Sequence, residues 1–222
     1  MPMTTSSSIL QPQSFHPVFE TSITADGFDN CSLNLLYTLP PIVFIDAYEL
    51  ANRADAYTFQ YAGPPSSSNL ELPVAAVAKE DASVLLSTPW ATSDSSRVVE
   101  LPFHVRYGPA TDDEQTFVET PLSWPDVFFA CPSGSDTSAL PPMPASLSAP
   151  FASMSIFPVH PPPDAVPEEI IRTPVGTTAD VARVELGTAV VVIASFFFLV
   201  RVARRTVRRL NSGNRVLTAR EE

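Results

Sequence analysis

Residues Leu186–Val200, LGTAVVVIASFFFLV, run for fifteen positions without a charge and are followed at once by RVARRTVRR. As a helix the run spans about 22 Å at about 1.5 Å per residue. Extending it to Val181–Val202 reaches the roughly 20 residues that a bilayer core requires. The extension brings in Arg183, Glu185 and Arg201 near the ends, where the arginines snorkel and ionised groups are tolerated. Lipid enforces intrahelical hydrogen bonding, so the β-branched and aromatic content does not argue against a helix. The sequence therefore predicts one transmembrane helix over 181–202, with Leu186, Gly187, Ala194, Phe197 and Val200 in the span. Gly187 and Ala194 offer small residues for close approach of another helix.

Charge sorts the rest of the chain around that helix. The net charge is −11, yet residues 201–222 hold seven arginines against two glutamates, leaving −16 on the first 200 residues. By the positive-inside rule the arginine tail, 203–222, stays cytosolic and the acidic body lies on the other side. An acidic body also points away from nucleic acid as a partner. The first nineteen residues carry no basic, apolar leader pattern. Either the C-terminal helix directs translocation, or the sequence begins downstream of the true start.

The body reads as strands. IVFIDAY (Ile42–Tyr48), AYTFQY (Ala56–Tyr61), Leu72–Ala78, Ser83–Ser87, RVVELPFHVRY (Arg97–Tyr107), Gln115–Glu119 and Val127–Ala130 are β-branched or aromatic runs between turn-forming clusters. In Phe103–Tyr107, alternation puts Phe103, Val105 and Tyr107 on one face and His104 and Arg106 on the other. About seven to nine short strands over 15–131 predict an all-β domain, a sandwich or a partly closed barrel. Residues 1–14 are expected to be disordered. The run 132–167 is dense in Pro, Ser and Ala, holding ten of the chain's 24 prolines, and is read mostly as a flexible linker within a 132–180 membrane-proximal segment. A short strand around Ser155–Val159 is the exception allowed there.

Cys31 and Cys131 are the two cysteines. Outside the cytosol a pair is expected to be oxidised, closing a loop worth about 4–5 kcal/mol by chain entropy; two unpaired buried thiols are the alternative. Asn30-Cys31-Ser32 is an N-glycosylation sequon.

Catalytic patterns are sparse. His16, His104 and His160 show no metal-ligand spacing, and no phosphate-cradling or nucleophile-elbow motif is present, so no cofactor, metal or catalytic residue is assigned. Asp112-Asp113-Glu114 reads as a solvated turn rather than a calcium site. Asp46 and Glu49, flanking Tyr48, offer an acid/base pair, against the commoner reading of an Asp-capped turn. His104 and Arg106 read either as a solvated polar pair or as a recognition patch for a protein or a lipid-linked phosphate.

Several segments in this order resemble the PIG-X family, the accessory subunit of glycosylphosphatidylinositol (GPI) mannosyltransferase I, with its fungal counterparts. They are FHPVFETSI (Phe15–Ile23), Cys31, LPPIVFIDAYELANR (Leu39–Arg53), ELPFHVRYGPA (Glu100–Ala110), DVFFACP (Asp126–Pro132) and TPVG (Thr173–Gly176), ahead of the terminal apolar helix. The chain departs from the family at Ile42, where many members have glycine, and in the proline-rich run. The resemblance implies a single-pass endoplasmic reticulum membrane protein with a lumenal β-rich domain. It implies a non-catalytic subunit that stabilises a multi-spanning catalytic mannosyltransferase, which adds the first mannose from dolichol-phosphate-mannose. It also makes Asp46, Tyr48, Glu49, His104, Arg106 and Tyr107 the candidate partner interface. A general lumenal chaperone and a cell-surface adhesion or receptor ectodomain are the competing readings.

Overall fold

The computed structural model describes residues 3–91, 94–112, 116–132 and 138–218, with side chains of the terminal helix through residue 210. The chain divides into two units, Met1–Pro109 with Gln115–Val175, and Ala110–Glu114 with Gly176–Glu222.

The first unit is built from antiparallel strands. A three-stranded sheet has the order β1 (Thr4–Leu10), β2 (Val18–Thr24), β7 (Ser96–Pro102). A five-stranded sheet has the order β11 (Ser155–Val159), β10 (Asp126–Cys131), β3 (Ser32–Leu39), β6 (Ala82–Pro89), β5 (Thr58–Ala62). Two ribbons complete it, β12 (Glu168–Pro174) with β9 (Phe117–Ser123) and β4 (Val43–Phe44) with β8 (His104–Val105). The sheets do not close into a barrel. They share one core, to which β2 contributes Phe19 and Ile23, β3 contributes Leu33, Leu35 and Tyr37, and β7 contributes Val99 and Leu101. Phe19 of one sheet meets Tyr37 of the other edge-on at 5.5 Å. The Tyr37 hydroxyl reaches Thr21 Oγ1 at 3.2 Å, and Thr21 in turn meets Ser7 Oγ at 2.9 Å. Phenol and hydroxyls thus enter the core with their polar ends satisfied.

The outer face of the five-stranded sheet is covered as well. Leu36, Leu85, Phe128 and Ala130 form a second cluster with Leu147 and Phe151. These last two lie on a short helix, α2 (Ala145–Ser148), and the 3-10 turn Ala149–Phe151 that follows. Phe151 packs edge-on to Phe128 at 5.2 Å. This corrects the linker reading of 132–167. The segment carries few apolar residues, but they sit where the central strands are apolar on both faces. Burial on both faces also explains why β3 and β10 lack the alternation of half-exposed strands. The disordered N-terminus is corrected too. Thr4–Leu10 pairs residue for residue with β2, burying Thr5, Ser7 and Ile9. Small hydroxylated side chains hid this strand, because they fill the inward positions without raising hydropathy.

Other differences are local. Ile42–Tyr48 holds only two strand residues before helix α1 (Ala47–Ala51). Leu72–Ala78 forms a 3-10 turn, Val74–Ala76, instead of a strand. The long Arg97–Tyr107 run breaks at Phe103 into β7 and β8. Among the described residues nine strands, β2 to β10, fall within 15–131, in the range expected there, and β1, β11 and β12 lie outside it. Cys31 and Cys131 are joined as a disulfide, with Cα atoms 4.3 Å apart. Asp113, Glu114 and Gln115 lie outside the described residues, as do 219–222.

The second unit is dominated by helix α3, Thr178–Thr218. Thr177 Oγ1 donates to Asp180 Oδ2 at 3.1 Å, and Thr178 hydrogen-bonds Asp112, so acidic groups sit at the positive end of the helix. The stretch Thr178–Leu210 is long and apolar enough to cross a membrane, and its apolar window is exposed among the described residues. The helix runs past both ends of the expected 181–202 span and carries the arginine cluster as its continuation. Leu186 and Phe197 are exposed, and a Cβ built on Gly187 meets open space. Ala194 is exposed and Val200 partly so.

Candidate functional site

Three segments far apart in sequence converge on one patch of the β domain. They are Phe15-His16, the turn leading into α1, and the consecutive strands β7 and β8.

Asp46 precedes α1 in an extended conformation, and its Oδ1 accepts from Tyr48 N at 2.8 Å. This is the capping arrangement that short acidic side chains favour at a helix start. Capping is also why IVFIDAY fails to continue as a strand. With Asp46 engaged on backbone, Glu49 turns instead toward His104, with Oε2 2.9 Å from Nε2. The two carboxylates therefore serve different partners and do not form an acid/base pair.

His104 is held on three sides. Its Nδ1 lies 2.7 Å from Nδ1 of His16, eighty-eight residues earlier. Phe44 stacks on its ring at 5.2 Å. The Glu49 carboxylate accepts from Nε2–H, and one of the two facing Nδ1 atoms donates to the other. Beside this pair, Phe15 packs on Tyr107 with ring centroids 4.7 Å apart. Arg53 meets Glu100 at 2.9 Å and ties the residues after α1 to β7; this hydrogen bond raises the Arg53 guanidinium above its ordinary value. Backbone bonds reinforce the convergence, from Val105 N to Phe15 O at 3.0 Å and from Arg106 N to Ile42 O at 2.8 Å.

Arg106 differs most from its sequence reading. It is neither a solvated partner of His104 nor open to a phosphate, being only 6% exposed. Its guanidinium lies 4.2 Å from the centre of the Phe44 ring. It donates to the carbonyls of Leu72 at 2.6 Å, Asn69 at 3.0 Å and Ser67 at 3.2 Å. Burial pulls its pKa below the ordinary arginine value. Its role is to pin the loop 67–72, supplying a donor to the Ser67 and Leu72 carbonyls and a second one to that of Asn69, which also accepts from Leu72 N. Alternation breaks at this residue because the chain leaves β8 after Val105.

The groups left for a partner are aromatic. Tyr48 is 83% exposed and Tyr107 is 67% exposed, flanking the Glu49–His104 link. Sequence reading found both tyrosines, His104 and Glu49, but missed His16 and Phe15 as their neighbours. A lone His-Pro in a polar stretch gives no spacing signal toward a position eighty-eight residues away. Among the described residues, no group of three or more His, Cys, Asp or Glu is placed to hold a metal ion. Asn30 is exposed in a turn at φ 60°, a left-handed conformation that asparagine accepts, next to the bridged Cys31.

The converging segments are those that carried the family resemblance. A family-level sequence model, PIG-X / PBN1, matches residues 12–204. The chain belongs to the PIG-X/PBN1 family. Membership assigns this PIG-X/PBN1 protein a role with the mannosyltransferase complex of GPI-anchor biosynthesis, in keeping with an accessory-subunit family and an endoplasmic reticulum setting. The match covers both the β domain and the apolar helix through its first arginines. No curated protein and no solved structure matches the chain.

Proposed function

We propose that this chain is a non-catalytic subunit that binds and stabilises the multi-spanning catalytic subunit of GPI mannosyltransferase I. That enzyme transfers the first mannose from dolichol-phosphate-mannose to the growing anchor. The observation that carries the reading is the convergence of Phe15-His16, Asp46–Arg53 and Glu100–Tyr107 beneath two exposed tyrosines, in a chain matched to PIG-X / PBN1 over 12–204. The polar groups of the patch are occupied with one another, which suits a rigid docking face better than a site of turnover. Tyr48 and Tyr107 supply large amphipathic contact area at low entropic cost, as interface aromatics do.

In this reading the β domain is lumenal and the arginine tail cytosolic, in the endoplasmic reticulum membrane. Asn30 then carries a glycan, and the Gly187 and Ala194 face of α3 adds helix contacts to the partner within the bilayer. Depleting this chain tests the proposal. The abundance of the catalytic subunit and of surface GPI-anchored proteins should both fall. Unchanged levels of the catalytic subunit would overturn it.

A further inference from the structure

Past its apolar run, helix α3 continues as a cationic segment. Arg201, Arg204, Arg205, Arg208 and Arg209 fall within one arc of about 140°, counted at about 3.6 residues per turn. All five are exposed. They extend over roughly 12 Å of helix at about 1.5 Å per residue. The opposite side carries Val202, Val207 and Leu210, exposed as well. Thr206 lies among them with its Oγ1–H donating to Val202 O at 3.0 Å, so its hydroxyl is spent on the helix and that side is apolar in effect.

Nothing nearby in sequence balances this charge. No carboxylate occurs between Glu185 and Glu221, and residues 201–222 hold seven arginines and no lysine. Arg201 with Arg205, Arg204 with Arg208 and Arg205 with Arg209 stand at the four-residue spacing, where like charges destabilise a helix. An anion set between such a pair turns the repulsion into two attractions. The guanidinium fork matches two oxygens of a phosphate, which a lysine ammonium does not. Position supplies the source of that phosphate. Arg201 follows Val200 without a break in the helix, so the arginines begin where a hydrocarbon core gives way to headgroups.

We propose that this arginine face is a binding site for anionic phospholipid. Headgroup phosphates and carboxylates bridge the paired guanidiniums, while Val202, Val207 and Leu210 turn toward the acyl chains. The two-sided pattern fixes the rotation of the helix about its axis, because only one orientation gives each side its own surroundings. A lipid surface is favoured over a soluble acidic partner because the segment is continuous with the apolar span, which holds it at the leaflet. The site requires α3 to cross the bilayer, in either orientation, and is independent of the subunit reading.

The test uses the full chain in bilayers of phosphatidylcholine with a minor share of phosphatidylserine, extracted in mild detergent, with the retained lipids counted by native mass spectrometry. Phosphatidylserine should be retained over phosphatidylcholine by at least about tenfold relative to the bilayer composition, and by less at high salt. Arg204→Gln, Arg205→Gln, Arg208→Gln and Arg209→Gln together should bring that ratio within about twofold of the bilayer's own. The corresponding lysine variant should keep part of the preference. Arg183→Gln, at the other end of the span and paired with Asp180, should leave it unchanged. Unaltered melting of the β domain shows that each variant folds. Glycerophosphoserine, the headgroup without its chains, should not displace the lipid. Equal retention of both lipids, a preference that survives the glutamine variant, displacement by glycerophosphoserine, or a dimer of the chain free of lipid would each overturn the assignment.

Discussion

His104 and Glu49, fifty-five residues apart in sequence, lie 2.9 Å from each other and bind β8 to helix α1. This link positions Tyr48, one residue before Glu49, and Tyr107, three residues after His104, around the same patch. Both tyrosines are exposed, so they contribute little to the fold itself. Tyr48→Ala should change stability by less than about 0.5 kcal/mol, as exposed substitutions do, and Tyr107→Ala by about 1 kcal/mol because its ring also packs on Phe15. Together they should sharply reduce recovery of the catalytic mannosyltransferase subunit in a detergent pull-down. Comparing thermal melts of the variants with their pull-down yields separates folding from docking.

Arg106 acts on the fold instead. Its guanidinium holds three loop carbonyls, so Arg106→Met removes three hydrogen bonds and leaves the buried Ser67 carbonyl without that donor. A loss of about 3 kcal/mol is expected, and Arg106→Lys should recover only part of it because an ammonium cannot span the fork. Denaturant midpoints measure both. Wild-type stability in Arg106→Met would contradict the pinning role.

Phe151 tests whether the proline-rich segment belongs to the domain. It closes the outer face of the five-stranded sheet against Phe128. Phe151→Ala should cost about 3 kcal/mol, as for other buried phenylalanines. A solvated linker residue would show no loss, and thermal melts decide between the two.

Asp126 predicts a pH effect. Its pKa is raised by burial, so the folded state binds this proton more tightly than the unfolded chain. The stability it contributes is complete below the unfolded value and is lost as pH rises through the folded one. At neutral pH the ionised carboxylate is therefore a small cost. Asp126→Asn should raise the melting temperature slightly at neutral pH and leave no such difference in acid. A variant less stable at neutral pH would reverse the sign.

Tyr57 sets the alkaline limit. Burial pushes its phenol from 10 up to about 12 and raises Tyr37 further. Their contribution is intact below pH 10 and falls as pH climbs through about 12. Phenolate absorbance should appear together with unfolding, and Tyr57→Phe should move both to higher pH.

How much of this was legible depended on whether hydropathy carried the information. The apolar run Leu186–Val200 and the strands β5, β6 and β10 announce themselves by composition. The pairing of Cys31 with Cys131 followed from there being only two cysteines and from the compartment expected for them. β3 was missed because SLNLLYTL is buried on both faces and so does not alternate. Its Asn34 is tolerated there because Ser32 O and Ser87 Oγ satisfy its amide. At the patch, the family resemblance named Tyr48, Glu49, His104 and Tyr107 as a candidate interface, and the structure places Glu49 against His104 with both tyrosines exposed. Arg106 was misplaced because its partners are backbone carbonyls, which no side-chain pattern reveals. His16 was missed because its contact depends on the pairing of β2 with β7, a tertiary fact.

Purification of this chain from membranes in mild detergent, with the bound proteins quantified by mass spectrometry, addresses the subunit role most directly. One multi-spanning mannosyltransferase should be recovered at close to one copy per copy of this chain, and the Tyr48→Ala, Tyr107→Ala double variant should lose it. Recovery of many membrane proteins at low occupancy, with no mannosyltransferase among the abundant ones, would contradict the account.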